Sequence, residues 1–226
     1  MGSPTAAILT LGLIILGLPV VLAVINVLQN GAGYKGQTVE SILGRPTAEA
    51  TVADLKRLSK SRLMQLFYAA PPPGNTDLDG EYQAQLIPVG VLAGVTAFYT
   101  HHFFGPGRWV GKAFKPLKSA AENGYNLFNA ANSANQKTVA RTRSMQTYLG
   151  PSKIDLKESL HLDYRPFNTG LVHTMHDELR RIHADLYIGM GYMALGGGSI
   201  NPAPFVVFGP AKSWVGPDSD PGQAGA

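Results

Sequence analysis

The chain has no cysteine among its 226 residues. Disulfides, thiolate metal sites, haem attachment through cysteine and cysteine nucleophiles are therefore excluded. Charge is scarce at one end, because the first charged side chain is Lys35. Acidic residues are few overall, 15 against 19 Lys and Arg, and the resulting net charge of +4 is mild. It suits an acidic partner or an anionic lipid surface. The basic residues do not interleave with aromatics in one patch, so nucleic acid is not an expected partner. Internal repeats of fixed period are absent. So are a phosphate-binding Walker loop, H-E-x-x-H, G-x-S-x-G and a Ser/His/Asp set that spacing would single out. Gly189-Met190-Gly191-Tyr192-Met193-Ala194 matches G-x-G-x-x-A, but Gly196–Gly198 and Pro202 follow where a dinucleotide site needs a helix.

What the N-terminus has in place of charge is a long apolar run from Ala6 to Leu28. As a helix it would reach roughly 34 Å, enough to cross a hydrocarbon core of about 30 Å. Pro19 is tolerable in such a span. A signal peptide would have basic residues before a shorter apolar stretch, and a buried core helix would not stay apolar on every face. Residues 1–34 are thus expected to form a single transmembrane anchor, making the chain a single-pass integral membrane protein.

Residues 35–76 read as an amphipathic helix and a Pro-rich linker. Thr51 with Asp54 resembles a capping box and opens a helix expected over Val52–Tyr68. Leu55, Leu63, Leu66 and Phe67 mark its apolar side. Lys56, Arg57, Lys60 and Arg62 crowd the other, where they are candidates for contact with lipid headgroups. Pro71-Pro72-Pro73-Gly74 favours a stiff polyproline spacer, and a domain boundary is placed there.

From Asp79 the period changes to two. Tyr82, Ala84 and Leu86 alternate with polar residues, as in a half-buried strand. Val91–Phe104 fits a short helix or a buried strand. Arg108–Lys115 and Val139–Leu149 read as strands, and Ser119–Lys137 as loop or weak helix. Lys153–Tyr164 alternates most clearly. Leu171–Ile182 is helix or strand, Leu186–Leu195 a strand weakened by glycines, and Phe205–Phe208 a last strand. Six to eight strands with short turns predict a mainly β domain over residues 77–212, an antiparallel barrel or a strongly bent sheet. Residues 213–226 have the composition of a flexible tail, with Trp214 able to pack as a plug.

Gly107-Arg108-Trp109-Val110-Gly111 is a literal G-x-W-x-G. Together with the pair Asp177–Ile182 and Leu186–Gly189, which resembles the closing strands of small barrels, it makes residues 78–208 similar to GXWXG-type, lipocalin-like and nitrobindin-like barrel proteins. In that family the motif tends to open the barrel, whereas here a strand at Gly80-Glu81-Tyr82 precedes it. The resemblance implies a cavity for an apolar ligand, or a barrel whose cavity is filled. Tyr82, Trp109, Phe114, Tyr164 and Tyr187 are the candidate lining residues. A lipid or pigment could occupy it; no cofactor is expected, and no histidine matches the haem ligand of nitrobindin-like members.

His173, His176 and His183 form the most metal-like group, sharing a side only if the segment is helical. His101-His102 precedes a Gly-Pro-Gly turn, where it could lie at a membrane interface or bind a tetrapyrrole. Asp177-Glu178 beside Arg180-Arg181 reads as a salt-bridged strand rim. The function expected from these features is that of a non-catalytic accessory subunit in a larger membrane complex. An energy-converting membrane, mitochondrial inner or photosynthetic, is expected by analogy. A membrane-tethered carrier of an apolar molecule and an enzyme on an apolar substrate are the alternatives.

Overall fold

In a computed structural model, which describes residues 17–117, 123–131 and 136–218, eight antiparallel strands follow the chain order around a closed barrel. They are β1 (Gly80–Leu86), β2 (Arg108–Phe114), β3 (Gly124–Ala131), β4 (Lys137–Pro151), β5 (Glu158–Asp163), β6 (Met175–His183), β7 (Leu186–Met193) and β8 (Ala203–Lys212). β8 closes the barrel on β1, with Leu86 opposite Phe205 and Gln83 opposite Phe208. The bent-sheet alternative therefore gives way to full closure, which leaves no open edge.

Alternation decides which side chains enter the barrel. Tyr82 and Ala84 of β1, Leu160 and Leu162 of β5, Leu179 of β6, Tyr187 of β7 and Phe205 and Val207 of β8 join one buried apolar cluster. Room for the Phe205 ring comes from Gly189 opposite it on β7, where a Cβ would lie 2.2 Å from the ring's Cζ. Gly111 does the same for a backbone approach: a Cβ there would lie 2.5 Å from the Tyr82 carbonyl oxygen. The β2–β3 register shifts between Trp109 and Gly111. That bulge sets Trp109 on the inner side with Lys112 and Phe114.

Five helical segments accompany the barrel: α1 (residues 17–28), α2 (Val39–Leu43), α3 (Val52–Lys56), α4 (Lys60–Ala69) and α5 (Ala93–His102). α2–α4 lie on the outer wall. Ile42, Leu55, Leu63, Leu66 and Phe67 bury against Ile182, Leu186, Ile188, Met190 and Val206 in a second apolar cluster. Each such side chain taken out of water contributes about 1.5–3 kcal/mol. The expected stiff spacer is part of this contact, since the Arg181 amide donates to the Pro71 carbonyl at 2.8 Å. The prolines thus lead the chain along the wall into β1.

Several expectations need correction. The helix expected over Val52–Tyr68 is two helices. The Thr51–Asp54 capping box is present, but Ser59 is extended and caps a second helix through the Arg62 amide. Residues 124–131, read as loop or weak helix, form β3. Its Asn and Ala residues have low strand propensity, yet pairing on both sides overrides it. The strand expected from Lys153 starts only at Glu158. Ser152 receives the Ile154 and Asp155 amides at 3.0 and 3.4 Å, which turns the chain there. Leu156, placed on the buried face by sequence, sits in that turn with φ 65° and is 81% exposed. Val91–Phe104 resolves as the helix α5, and Leu171–Ile182 as a short 3-10 turn (Val172–Thr174) followed by β6. Of the expected tail, residues 213–218 pack on the wall. The Trp214 ring lies against Tyr125, tilted by 60° with centres 4.5 Å apart, and Arg141 and Asp218 exchange hydrogen bonds of 2.7 and 2.8 Å.

The apolar run expected as an anchor lies in part outside the described residues, at 6–16. Among the described residues no helix is long and apolar enough to cross a membrane. The part that is described, α1, ends against the barrel through Asn26.

Candidate functional site

The barrel's interior carries one polar group of residues in an otherwise apolar lumen. Lys112 on β2 and Asp177 on β6 face each other across it. The Lys112 Nζ lies 2.7 Å from Asp177 Oδ2, and the side chains are 1% and 5% exposed. Tyr164 donates to the same carboxylate oxygen at 2.8 Å. Asn126 of β3 takes hydrogen bonds on its carbonyl oxygen from Lys112 at 2.9 Å and from the Trp109 indole at 3.0 Å. Its amide in turn donates to the Arg143 carbonyl at 3.0 Å. The ammonium sits 5.2–5.3 Å from the centres of the Trp109, Tyr164 and Phe205 rings. A buried charge is tolerated only when so paired and bonded.

Electrostatics follow from this burial. Loss of water pulls the Lys112 pKa down, and the Asp177 carboxylate opposes the fall. The Tyr164 phenol is held well above its ordinary range, first by burial and then by the same carboxylate. The phenol therefore stays protonated and donates.

All five candidate lining residues are brought together. Tyr82, Trp109, Phe114, Tyr164 and Tyr187 are buried in the same inner cluster. Tyr82 makes edge contacts with Phe114 and Tyr187 at 6.0 and 6.2 Å, and Trp109 meets Phe205 at 5.7 Å. The Tyr187 hydroxyl donates to the Ala184 carbonyl at 2.8 Å. Side chains thus occupy the space between facing strands. Where β2 turns toward β3, Gly74, Leu78, Phe114, Leu117, Thr147 and Leu160 border a cavity of about 10 Å³, room for about one water molecule.

Lys112 and Asn126 were not among the candidates, and Asp177 was singled out only beside Glu178 and the arginines. Alternation carries the signal: Lys112 shares a side with Phe114, and Asp177 with Leu179. The strand-rim reading of Asp177-Glu178 and Arg180-Arg181 is corrected on the same ground. Asp177 points in, whereas Glu178 and Arg180 point out and are covered. Arg180 is paired with Asp155 at 2.6 Å, and Arg181 with Asp77 at 2.8 Å.

The three histidines of the metal-like group do not converge. His173 sits in the 3-10 turn with its Nδ1 bonded to the Asn168 carbonyl, and His183 reaches the Ala50 carbonyl at 3.0 Å. His176 lies on the outer wall, sharing a 2.8 Å hydrogen bond with His161. Among the described residues no group of three or more His, Asp or Glu has the arrangement of a metal site. Burial pushes the His176 pKa down to about 4, helped by Lys153 and His161. Beside it Glu178, fully buried, accepts from Tyr192 at 2.8 Å and from the Lys153 amide at 2.9 Å. His101 and His102 end α5; the His101 pKa is lowered, first by burial and then by Arg108.

The basic residues expected on one side of the amphipathic helix are divided between α3, its C-terminal cap and α4, and one of the four is buried. Lys60 is buried, donating to the Asn26 carbonyl at 2.7 Å, and burial lowers its pKa to about 8. Arg62 caps α2 through the Ile42 carbonyl, and Lys56 binds Gln85. Lys56, Arg57 and Arg62 are all exposed, Arg57 the most clearly at 75%.

No protein-family model matches the sequence, and no curated protein does. Among solved structures, a crystal structure of a protein from Thermomonospora curvata is similar at a TM-score of 0.44 and 11% identity, covering 67% of this chain and 87% of that one. The strand order by itself gives a closed antiparallel eight-stranded barrel, consistent with a lipocalin-like small barrel.

Proposed function

We propose that this chain is a non-catalytic, single-span membrane protein whose barrel serves as an accessory subunit of a larger membrane assembly, of the respiratory or photosynthetic type. The observation that carries the reading is the state of the lumen. Its charged and polar groups, Lys112, Asp177, Tyr164, Asn126 and Trp109, are spent on one another. Aromatic and aliphatic side chains pack around them in one buried cluster. An enzyme needs a reactive group open to substrate, and a carrier needs space that its ligand can enter. The tether is the apolar run 6–28, of which the described end is held to the barrel by Asn26 and Lys60.

The experiment is native electrophoresis of the protein extracted from its own membranes in mild detergent, with mass spectrometry of the band. Migration with fixed partners at a mass far above the 24.1 kDa of the chain supports the reading, and the partners name the assembly. Migration alone, or recovery in the soluble fraction, overturns it.

A further inference from the structure

Resting on the membrane-tether reading, we infer that the end of the barrel carrying α5 lies against the bilayer, with the α5 side chains in the interfacial region. Four connections form this end, and two of them adjoin α1: β1 to β2 through α5, and β7 to β8 through residues 194–202. α1 is fastened to both. Gln29 Oε1 receives the Val91 amide at 2.9 Å and Asn26 Oδ1 the Leu92 amide at 3.3 Å. Asn26 donates to Asn201 at 2.6 Å, and Asn30 to the Ile200 carbonyl at 2.8 Å.

The helix leaves the protein from this anchorage. Residues 22, 23, 26 and 27, which share one side at helical spacing, are covered or half-covered, whereas 18–21 are exposed at four consecutive positions. Four consecutive positions take in every side of a helix. Residues 18–21 therefore stand clear of the barrel beside α5, and a bilayer that receives the apolar run must adjoin this end.

The surface there matches that solvent. Val91, Val95, Phe98, Phe103, Leu195 and Ile200 are between 43% and 77% exposed. Soluble surfaces rarely gather apolar side chains so densely. Residues 87–107 and 194–202 contain no Asp, Glu, Lys or Arg, so nothing on these connections resists leaving water. The two ends differ in the sign of their charge: Asp77, Asp79, Asp155, Lys157 and Asp185 stand on or next to the turns of the opposite end, whereas the exposed Arg108, Lys137 and Arg165 stand beside the connections of this one, where anionic headgroups suit them. Phe98 packs on Phe103 at 5.4 Å and on His102 at 4.9 Å, forming an aromatic ledge of the sort that settles at headgroup depth.

The test uses the full chain reconstituted into vesicles of phosphatidylcholine with a minor share of phosphatidylglycerol, with and without bromine on the acyl chains. Phe98→Trp and Val95→Trp report from α5, and Leu156→Trp reports from the turn at the other end. All three positions are largely exposed, so folding is not at stake. The expected result is that brominated lipid removes the fluorescence added by F98W and V95W and leaves that added by L156W. A chain that floats with the vesicles while F98W and V95W stay unquenched overturns this inference alone, and assigns the end to a protein neighbour. A chain that does not float overturns the tether reading and this inference with it.

Discussion

The guanidinium of Arg180, on β6, lies 4.3 Å from the ring centre of Phe67, on α4. It also donates to the Phe67 carbonyl at 2.8 Å and forks onto both oxygens of Asp155, at 2.6 and 2.7 Å. One side chain thereby joins the barrel wall, the helices that cover it and the turn before β5. Arg180→Lys keeps the charge but loses the planar fork and the ring contact. It should lower stability by about 2–4 kcal/mol, somewhat less than the roughly 3–5 kcal/mol for removing a buried partner outright, because the charge remains. Denaturant unfolding in detergent measures it; a loss under about 1 kcal/mol would show that a point charge suffices.

Removal of residues 35–76 should do more than free a tether. It strips Ile182, Leu186, Ile188, Met190 and Val206 of their cover. The expected outcome is a chain that aggregates on expression even in detergent. A truncated barrel that stays monodisperse by light scattering would mean that these helices are dispensable.

The inner ion pair can be separated into its parts. Lys112→Met leaves Asp177 as an uncompensated buried charge, and Asp177→Leu leaves Lys112 so. Each should cost about 3–5 kcal/mol, whereas the double variant should cost clearly less than the sum, because no charge remains to be desolvated. Additive losses in a double-mutant cycle would place the two residues out of contact.

Much of the barrel was legible because inward residues recur at every second position. Tyr82, Ala84 and Leu86 announce β1, and Leu160, Leu162 and Tyr164 announce β5. The sequence misled where a local signal was outvoted by contacts distant in the chain. Ile154 and Leu156 extend the alternation of β5, but the Ser152 hydroxyl captures the following amides and turns the backbone. Gly124–Ala131 looks like a loop until both its neighbours pair with it. The five aromatic candidates were found because aromatics on barrel strands face a core. Lys112 was not found and Asp177 was read on the strand rim, since a charge inside a barrel becomes sensible only when its partner, 65 positions away, is seen.

Gly189 offers a steric test of the lumen's packing. A Cβ there would lie 2.2–2.6 Å from three atoms of the Phe205 ring. Gly189→Ala should therefore cost about 1–3 kcal/mol, the usual penalty for overpacking. Adding Phe205→Leu should recover part of it, since the ring edge is what collides. If the pair is no better than G189A alone, strain in the β7 backbone and not the ring sets the cost.

His176 ties stability to pH. In the fold its pKa is down at about 4, while an unfolded histidine titrates near 6.5. The folded protein therefore keeps the imidazole neutral over a range in which the unfolded chain takes up a proton. Stability from this group is whole above about pH 6.5 and is lost as pH falls from there to about 4, the loss reaching about 2–3 kcal/mol. Below that no more is lost through His176, since both states are then protonated. The charges that act on it are those of Lys153, His161, Asp163 and, from the inner side of the strand, Asp177, and the carboxylates will add acid sensitivity of their own. Comparison with His176→Gln isolates the histidine. Between pH 7 and pH 4.5 the wild type should lose about 2 kcal/mol more than H176Q in denaturant midpoints converted to free energy. Parallel losses in the two proteins would mean that His176 is not held neutral on the barrel wall.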